Sequence, residues 1–143
     1  MGSTKKFFTL IELLVVIAII AILAAIVLVS VANVRNRSYD SRIESALNQI
    51  RTQAEIVYED SSPNAYTNVT CGHASISPLC ADINTIVGTN PTIVPGADAY
   101  CAKSVLKSSA SQYWCVDSTG RSKKYDANPA CSATAGSEVY TCE

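Results

Sequence analysis

Hydrophobic and polar positions divide the chain into three stretches of different texture. From Leu13 to Val29 there are seventeen consecutive apolar residues, and Ser30 is the only interruption before Val31 and Ala32. No charged residue falls between Glu12 and Arg35. Beyond Ala32 the pattern turns amphipathic: Ile43, Leu47, Ile50, Ala54 and Val57 recur at spacings of four and three, one narrow apolar stripe on a helix. Arg35, Arg37, Asp40, Arg42, Glu44, Arg51, Glu55 and Glu59 lie off that stripe, with Asp40/Glu44 and Arg51/Glu55 one turn apart. Neither proline nor glycine occurs between Thr4 and Asp60, and Ser62-Pro63-Asn64 supplies a stop. The pattern predicts one helix from about Phe8 to Glu59, roughly 78 Å long at 1.5 Å per residue. Its first half must pack on lipid or on copies of itself, and its second half on the remainder of the chain. A coiled-coil seam is the rival reading of the stripe, but only about two heptads are clean.

From Ser61 onward the chain is rich in Ser, Thr, Ala and Asn, with short apolar runs. Thr92 to Val94, Tyr100 to Leu106, Gln112 to Asp117 and Arg121 to Tyr125 read as strands separated by polar turns. Val139 to Cys142 reads as a short terminal strand. An antiparallel sheet of three or four strands is the economical arrangement. Tyr113 and Trp114 directly precede Cys115, and one of each adjacent pair should face the helix, with core packing preferred to an exposed adhesive contact.

Composition sharpens this picture in two ways. With 143 residues, 11 Lys+Arg against 12 Asp+Glu, the chain is one domain's length and carries no basic footprint of the nucleic-acid-binding kind. Its six cysteines, Cys71, Cys80, Cys101, Cys115, Cys131 and Cys142, all lie from residue 71 onward, which reads as a disulfide framework in an oxidising compartment. No C-x-x-C pair occurs and His73 is the only histidine, so neither a metal nor a cofactor is expected. Six cysteines allow 15 connectivities; pairing of sequence neighbours (71 with 80, 101 with 115, 131 with 142) is the simplest expectation. With so few large apolar residues in this region, each bridge should contribute about 2–4 kcal/mol.

The apolar segment has three readings. A cleaved secretory signal fits Lys5 and Lys6 and the small residues Ser30 and Ala32. The run is too long for such a signal, though, and Glu12 has no use there. A plain membrane anchor fits the length from Leu13 to Ala32, with the disulfide region outside the cytoplasm. Neither explains Glu12, a carboxylate at the head of a membrane segment. Such a group either reaches toward the headgroups or serves a function.

Phe8-Thr9-Leu10-Ile11-Glu12-Leu13-Leu14-Val15-Val16-Ile17, preceded by the short basic leader Met1 to Phe7, resembles the N-terminus of type IV pilins and type II secretion pseudopilins. The resemblance implies removal of residues 1–7 by a prepilin peptidase between Phe7 and Phe8, N-methylation of Phe8, and assembly through Glu12 together with Thr9. Glu12 would pair with the N-terminal amine of an adjacent subunit and so set axial register. Where the family has glycine before the cleavage point, this chain has Phe7. Ala21 and Val29 stand where many members have glycine and proline, which predicts a more continuous helix. The implied fold is α+β and type IV pilin-like: a long N-terminal helix, its C-terminal half packed on a small antiparallel sheet, stapled by disulfides. The corresponding domains are a leader (1–7), a hydrophobic transmembrane and polymerisation helix (8–32), its amphipathic continuation (33–60) and a disulfide-rich globular domain (61–143).

No catalytic motif is present: the chain has no nucleophile elbow, phosphate-binding glycine loop or histidine cluster. His73 beside Cys71 suggests a base and nucleophile, but an oxidised cysteine is no thiolate. Asn36-Arg37-Ser38 and Asn68-Val69-Thr70 match the N-x-S/T pattern; chance is the plainer reading in a chain of this kind, and sugars on a Ser/Thr-rich surface are the other. Lys103, Lys107, Arg121, Lys123 and Lys124 gather near the expected hairpin. Nucleic-acid or host-surface contact is one use for them, and a solvated, aggregation-blocking strand edge is the plainer one. The expected function is therefore non-enzymatic. The chain reads as a structural pilin that waits in the cytoplasmic (inner) membrane and polymerises with identical subunits into an extracellular filament, using the pilus assembly machinery. A secretion pseudopilin and a single-pass receptor with a disulfide-rich ectodomain are the alternatives.

Overall fold

The computed structural model describes residues 8–132 and 139–143. The element order is α1 (Leu10–Asp60), a single 3-10 turn (Tyr66–Asn68), α2 (Ser77–Val87), β1 (Thr92–Pro95), β2 (Tyr100–Val105), β3 (Tyr113–Asp117) and β4 (Ser122–Tyr125). Expected and observed classes agree: an α+β chain with a long N-terminal helix, a small antiparallel sheet and three disulfides. The chain divides into two compact units, one ending at Arg35 and one spanning Asn36–Glu143.

In the first unit α1 is helix throughout and runs unbroken past Ala21 and Val29, as the lack of glycine and proline requires. Its apolar side chains are exposed on every side: Leu10 is 81% exposed, Ile20 58% and Leu28 72%. A helix apolar all round needs an apolar medium or partner. This is the one helix among the described residues long and apolar enough to cross a membrane.

The second unit holds the core. The stripe Ile43, Leu47, Ile50, Ala54 and Val57 is buried, joined by Ala46. The four strands form an antiparallel meander in the order β1-β2-β3-β4. Because side chains alternate along a strand, each face collects its own apolar set. Tyr100, Ala102, Val116 and Leu106 join the α1 stripe in the larger cluster, with Trp114 packed against it. Val94, Cys101 and Cys115 belong to a separate cluster with Cys131 and Cys142 of the C-terminal segment. The sheet is thus covered by helix on one side and by that segment on the other.

Three charged residues off the stripe, Asp40, Arg42 and Arg51, reach other parts of the second unit. Asp40 Oδ1 accepts the backbone N–H groups of Lys107 (2.6 Å) and Ser108 (3.1 Å) at the β2–β3 connection. Arg42 pairs with Asp82 of α2, and the Arg51 guanidinium donates to the Gly120 carbonyl at 3.1 Å. Gly120, at φ 89°, supplies the left-handed turn residue between β3 and β4.

Three expectations are corrected. First, α2 lies in a stretch that offered no clear element. Pro78 sits in its first turn, where a missing N–H costs nothing. Cys80, Ile83 and Ile86 form its buried face, and Gly88 (φ 87°) ends it with its N–H on the Asn84 carbonyl. Second, the C-terminal strand Val139 to Cys142 is not formed; Val139 makes one isolated bridge, to Ser132. Third, sequence-neighbour pairing holds only for Cys71–Cys80; the other bridges are Cys101–Cys131 and Cys115–Cys142. The β2–β3 register explains the exchange. Cys101 lies opposite Asp117 and Cys115 opposite Lys103, so the two cysteines are diagonal neighbours on one face. That separation is about 7–8 Å between Cα atoms, too far for a disulfide's close Cβ approach. Each therefore takes a cysteine from the segment lying over the face.

Candidate functional site

The residues singled out for processing and assembly sit at the head of α1. Phe7 and the leader 1–7, including Lys5 and Lys6, lie outside the described residues. Phe8 lies two residues before Leu10, the first residue of α1, and is 77% exposed. Thr9 occupies the N-cap position and Glu12 the third helical position. Glu12 Oε2 accepts both the Thr9 backbone N–H and the Thr9 hydroxyl, each at 2.8 Å. In return the Glu12 N–H donates to Thr9 Oγ1 at 3.3 Å. This is a reciprocal capping box: two N–H groups that the first turn leaves without helical partners satisfy each other's side chains. The carboxylate also sits at the positive end of the helix dipole. Glu12 therefore has a local role the sequence reading missed, although Thr9-x-x-Glu12 ahead of an apolar run is its signature. Among the described residues no donor reaches Oε1 of the same carboxylate, and both bonds fall on Oε2.

Other candidates are not assembled into a site. Cys71 is bonded to Cys80, so it offers no thiolate to His73, whose Nδ1 instead meets Ser75 Oγ at 2.9 Å. The five basic residues separate. Lys103 Nζ donates to the Pro129 carbonyl at 2.8 Å, and burial lowers its pKa from the ordinary lysine value. Arg121 holds the C-terminus through the Cys142 carbonyl (3.0 Å) and Glu143. On β4, Lys123 lies over the Tyr125 ring at 4.7 Å. Lys124 pairs with Trp114 across the sheet and, by strand alternation, points to the opposite face. No single basic surface results.

Two features of the second unit escaped the sequence. The Asp117 carboxylate is fully buried and, among the described residues, accepts four hydrogen bonds, from Thr119 N (2.9 Å), Thr119 Oγ1 (2.6 Å), Arg121 N (3.2 Å) and Cys142 N (2.8 Å). Tyr66 stacks between Tyr58 and Tyr100, with ring centroids 4.5 and 4.9 Å apart. The Tyr66 hydroxyl donates to Glu55 Oε2 at 2.9 Å. Burial first, and then the adjoining Glu55 carboxylate, push its pKa up to about 12; burial likewise raises Tyr100.

Residues 8–28 match the family model of the prokaryotic N-terminal methylation motif. This is the prepilin-like signal of type IV pilins and pseudopilins, and it coincides with the capped, exposed apolar part of α1. No curated protein and no solved structure matches the chain. The motif supports a pilin- or pseudopilin-like protein and suggests a structural role. With the apolar helix it fits a membrane-anchored precursor, and it implies processing by a peptidase and handling by an assembly machinery.

Proposed function

We propose that the chain is a non-enzymatic structural pilin subunit. It is held in the cytoplasmic membrane by the apolar part of α1, cleaved before Phe8, and polymerised through that helix into an extracellular type IV pilus. The observation that carries this reading is the methylation motif at 8–28 lying on a helix whose apolar side chains are exposed on every side. Extraction from lipid into a bundle of like helices keeps those side chains in apolar surroundings. Since lipid and protein compete almost evenly for them, a polar contact is needed to set register, and the Glu12 carboxylate at the head of the helix supplies it. The partner is the Phe8 amine of a neighbouring copy. Repetition of such a head-to-tail contact makes an open filament rather than a ring.

The test is intact mass and N-terminal sequencing of protein sheared from the cell surface. A chain beginning at methylated Phe8, six hydrogens lighter for the three disulfides, is the expected result. A chain still beginning at Met1 in filaments would rule out the Phe8 amine as the partner of Glu12. Its confinement to the membrane fraction would favour a secretion pseudopilin or a receptor.

A further inference from the structure

We propose that the second unit carries a binding site for an acidic sugar residue, a hexuronate unit of an anionic saccharide. The site is the cleft between the first buried turns of α1 and the adjoining end of the sheet. This cleft has a volume of about 340 Å³, and Trp114, Lys124, Arg37, Glu44 and Gln112 are among the residues that line it.

The indole is the fixed element. Trp114 Nε1 donates to Ser122 Oγ at 3.1 Å, and that hydroxyl donates to Asn48 Oδ1 at 2.8 Å. The Asn48 amide in turn donates to the Glu44 backbone carbonyl at 3.0 Å, back on α1. A hydrogen-bonded relay from sheet to helix therefore holds the ring in one orientation. Such a pre-organised aromatic wall lowers the ordering cost of binding. A flat, rigid ligand face with C–H groups matches it; a flexible chain gains less from it.

The polar groups around the indole define the rest of the ligand. Among the described residues Arg37 and Lys124 have no acidic partner, since the ion pairs are Arg42–Asp82 and Arg121–Glu143. Their charges are available to a carboxylate. Among the described residues the Glu44 carboxylate accepts no hydrogen bond, and Gln112 uses its amide N–H on Asp126 at 2.9 Å, with no donor on its oxygen. Both are acceptors for hydroxyl groups. Asp40, also at the cleft, already has Oδ1 occupied by the Lys107 and Ser108 amides, which reduces its opposition to an anion. An apolar ring face, a carboxylate and several hydroxyls on one small rigid ring describe a hexuronate. A lining this polar suits neither an acyl chain nor an apolar peptide anchor.

Trp114 is the only tryptophan in the chain, so intrinsic fluorescence reads this cleft directly. Polymerisation is not required, and the outcome is independent of the pilus reading. The full chain, in micelles of a detergent without a sugar headgroup, is titrated with trigalacturonate and in parallel with neutral galactotriose. The expected result is a saturable emission change with trigalacturonate alone, at a Kd of about 1 mM or tighter. Arg37→Gln and Lys124→Gln should each weaken it about tenfold, with unchanged circular dichroism because both residues are exposed. Three results would each overturn the proposal: no saturable change with trigalacturonate, an equal response to the neutral sugar, or binding untouched in both variants.

Discussion

Asp117 at the end of β3 and Cys142, next to the last residue of the chain, are joined twice over. The buried carboxylate accepts the Cys142 N–H at 2.8 Å, while the Cys142 sulfur is bonded to Cys115, two residues from Asp117. The same carboxylate shapes the β3–β4 turn through Thr119 and Arg121. One side chain thus couples a local turn to the docking of the C-terminal segment.

Replacing Asp117 by Ala strips four donors of their acceptor in a water-excluded place. Hydrogen bonds to charged groups contribute about 1.5–3 kcal/mol each and are not additive, so Asp117→Ala should cost about 3 kcal/mol or more. Asp117→Asn, which keeps one oxygen, should cost less. Denaturant unfolding followed by near-UV circular dichroism would measure both, and equal stability of Asp117→Ala and the parent chain would refute the coupling.

Non-reducing proteolytic mapping should recover 101 linked to 131 and 115 linked to 142, with no peptide joining 101 to 115. Loss of either tail bridge should lower stability by about 2–4 kcal/mol and expose the apolar face around Val94. A rise in binding of an environment-sensitive dye would report that exposure.

The capping box separates two roles of Glu12. Thr9→Ala removes the hydroxyl and should fray the first turn, raising amide hydrogen exchange at Ile11 and Glu12 several-fold; Thr9→Ser should not. Glu12→Ala should do the same and also abolish polymerisation while membrane insertion persists. If Glu12→Ala and Thr9→Ala proved equally defective in filaments, the carboxylate would matter only as a cap.

Tyr66 makes the second unit sensitive to alkali. Its folded pKa of about 12 stands above the ordinary tyrosine value near 10. Its protonated form is therefore favoured by folding, and that stabilisation is complete below pH ~10. It is lost progressively as pH rises toward 12. Tyr66→Phe should lose the Glu55 hydrogen bond at neutral pH and show a shallower decline between those limits. An identical alkaline profile for the two chains would discount Tyr66 as the source.

What was legible in the sequence was whatever depends on near neighbours. The length of α1 followed from seventeen contiguous apolar residues and from the lack of glycine and proline. Its buried face followed from the four-three spacing of Ile43 to Val57, and the strands from alternation between turns. The capping box is equally local, written as Thr9-x-x-Glu12, but it went unread because Glu12 reads as a membrane-edge charge and an assembly group. α2 escaped because Cys80, Ile83 and Ile86 are interleaved with Asp82, Asn84 and Thr85, too short a run to show a clear period.

Tertiary structure alone decided the features that join distant positions. Disulfide partners depend on which side of the sheet a cysteine stands, and the β2–β3 register placed Cys101 and Cys115 on one face without bringing their sulfurs together. The burial of Asp117 depends on a segment 25 residues away in the chain. The cleft at Trp114 exists because a β-meander and two turns of helix meet there. Hydrophobic periodicity specifies which face a residue takes, but the partner across that face is set by the packing of whole elements.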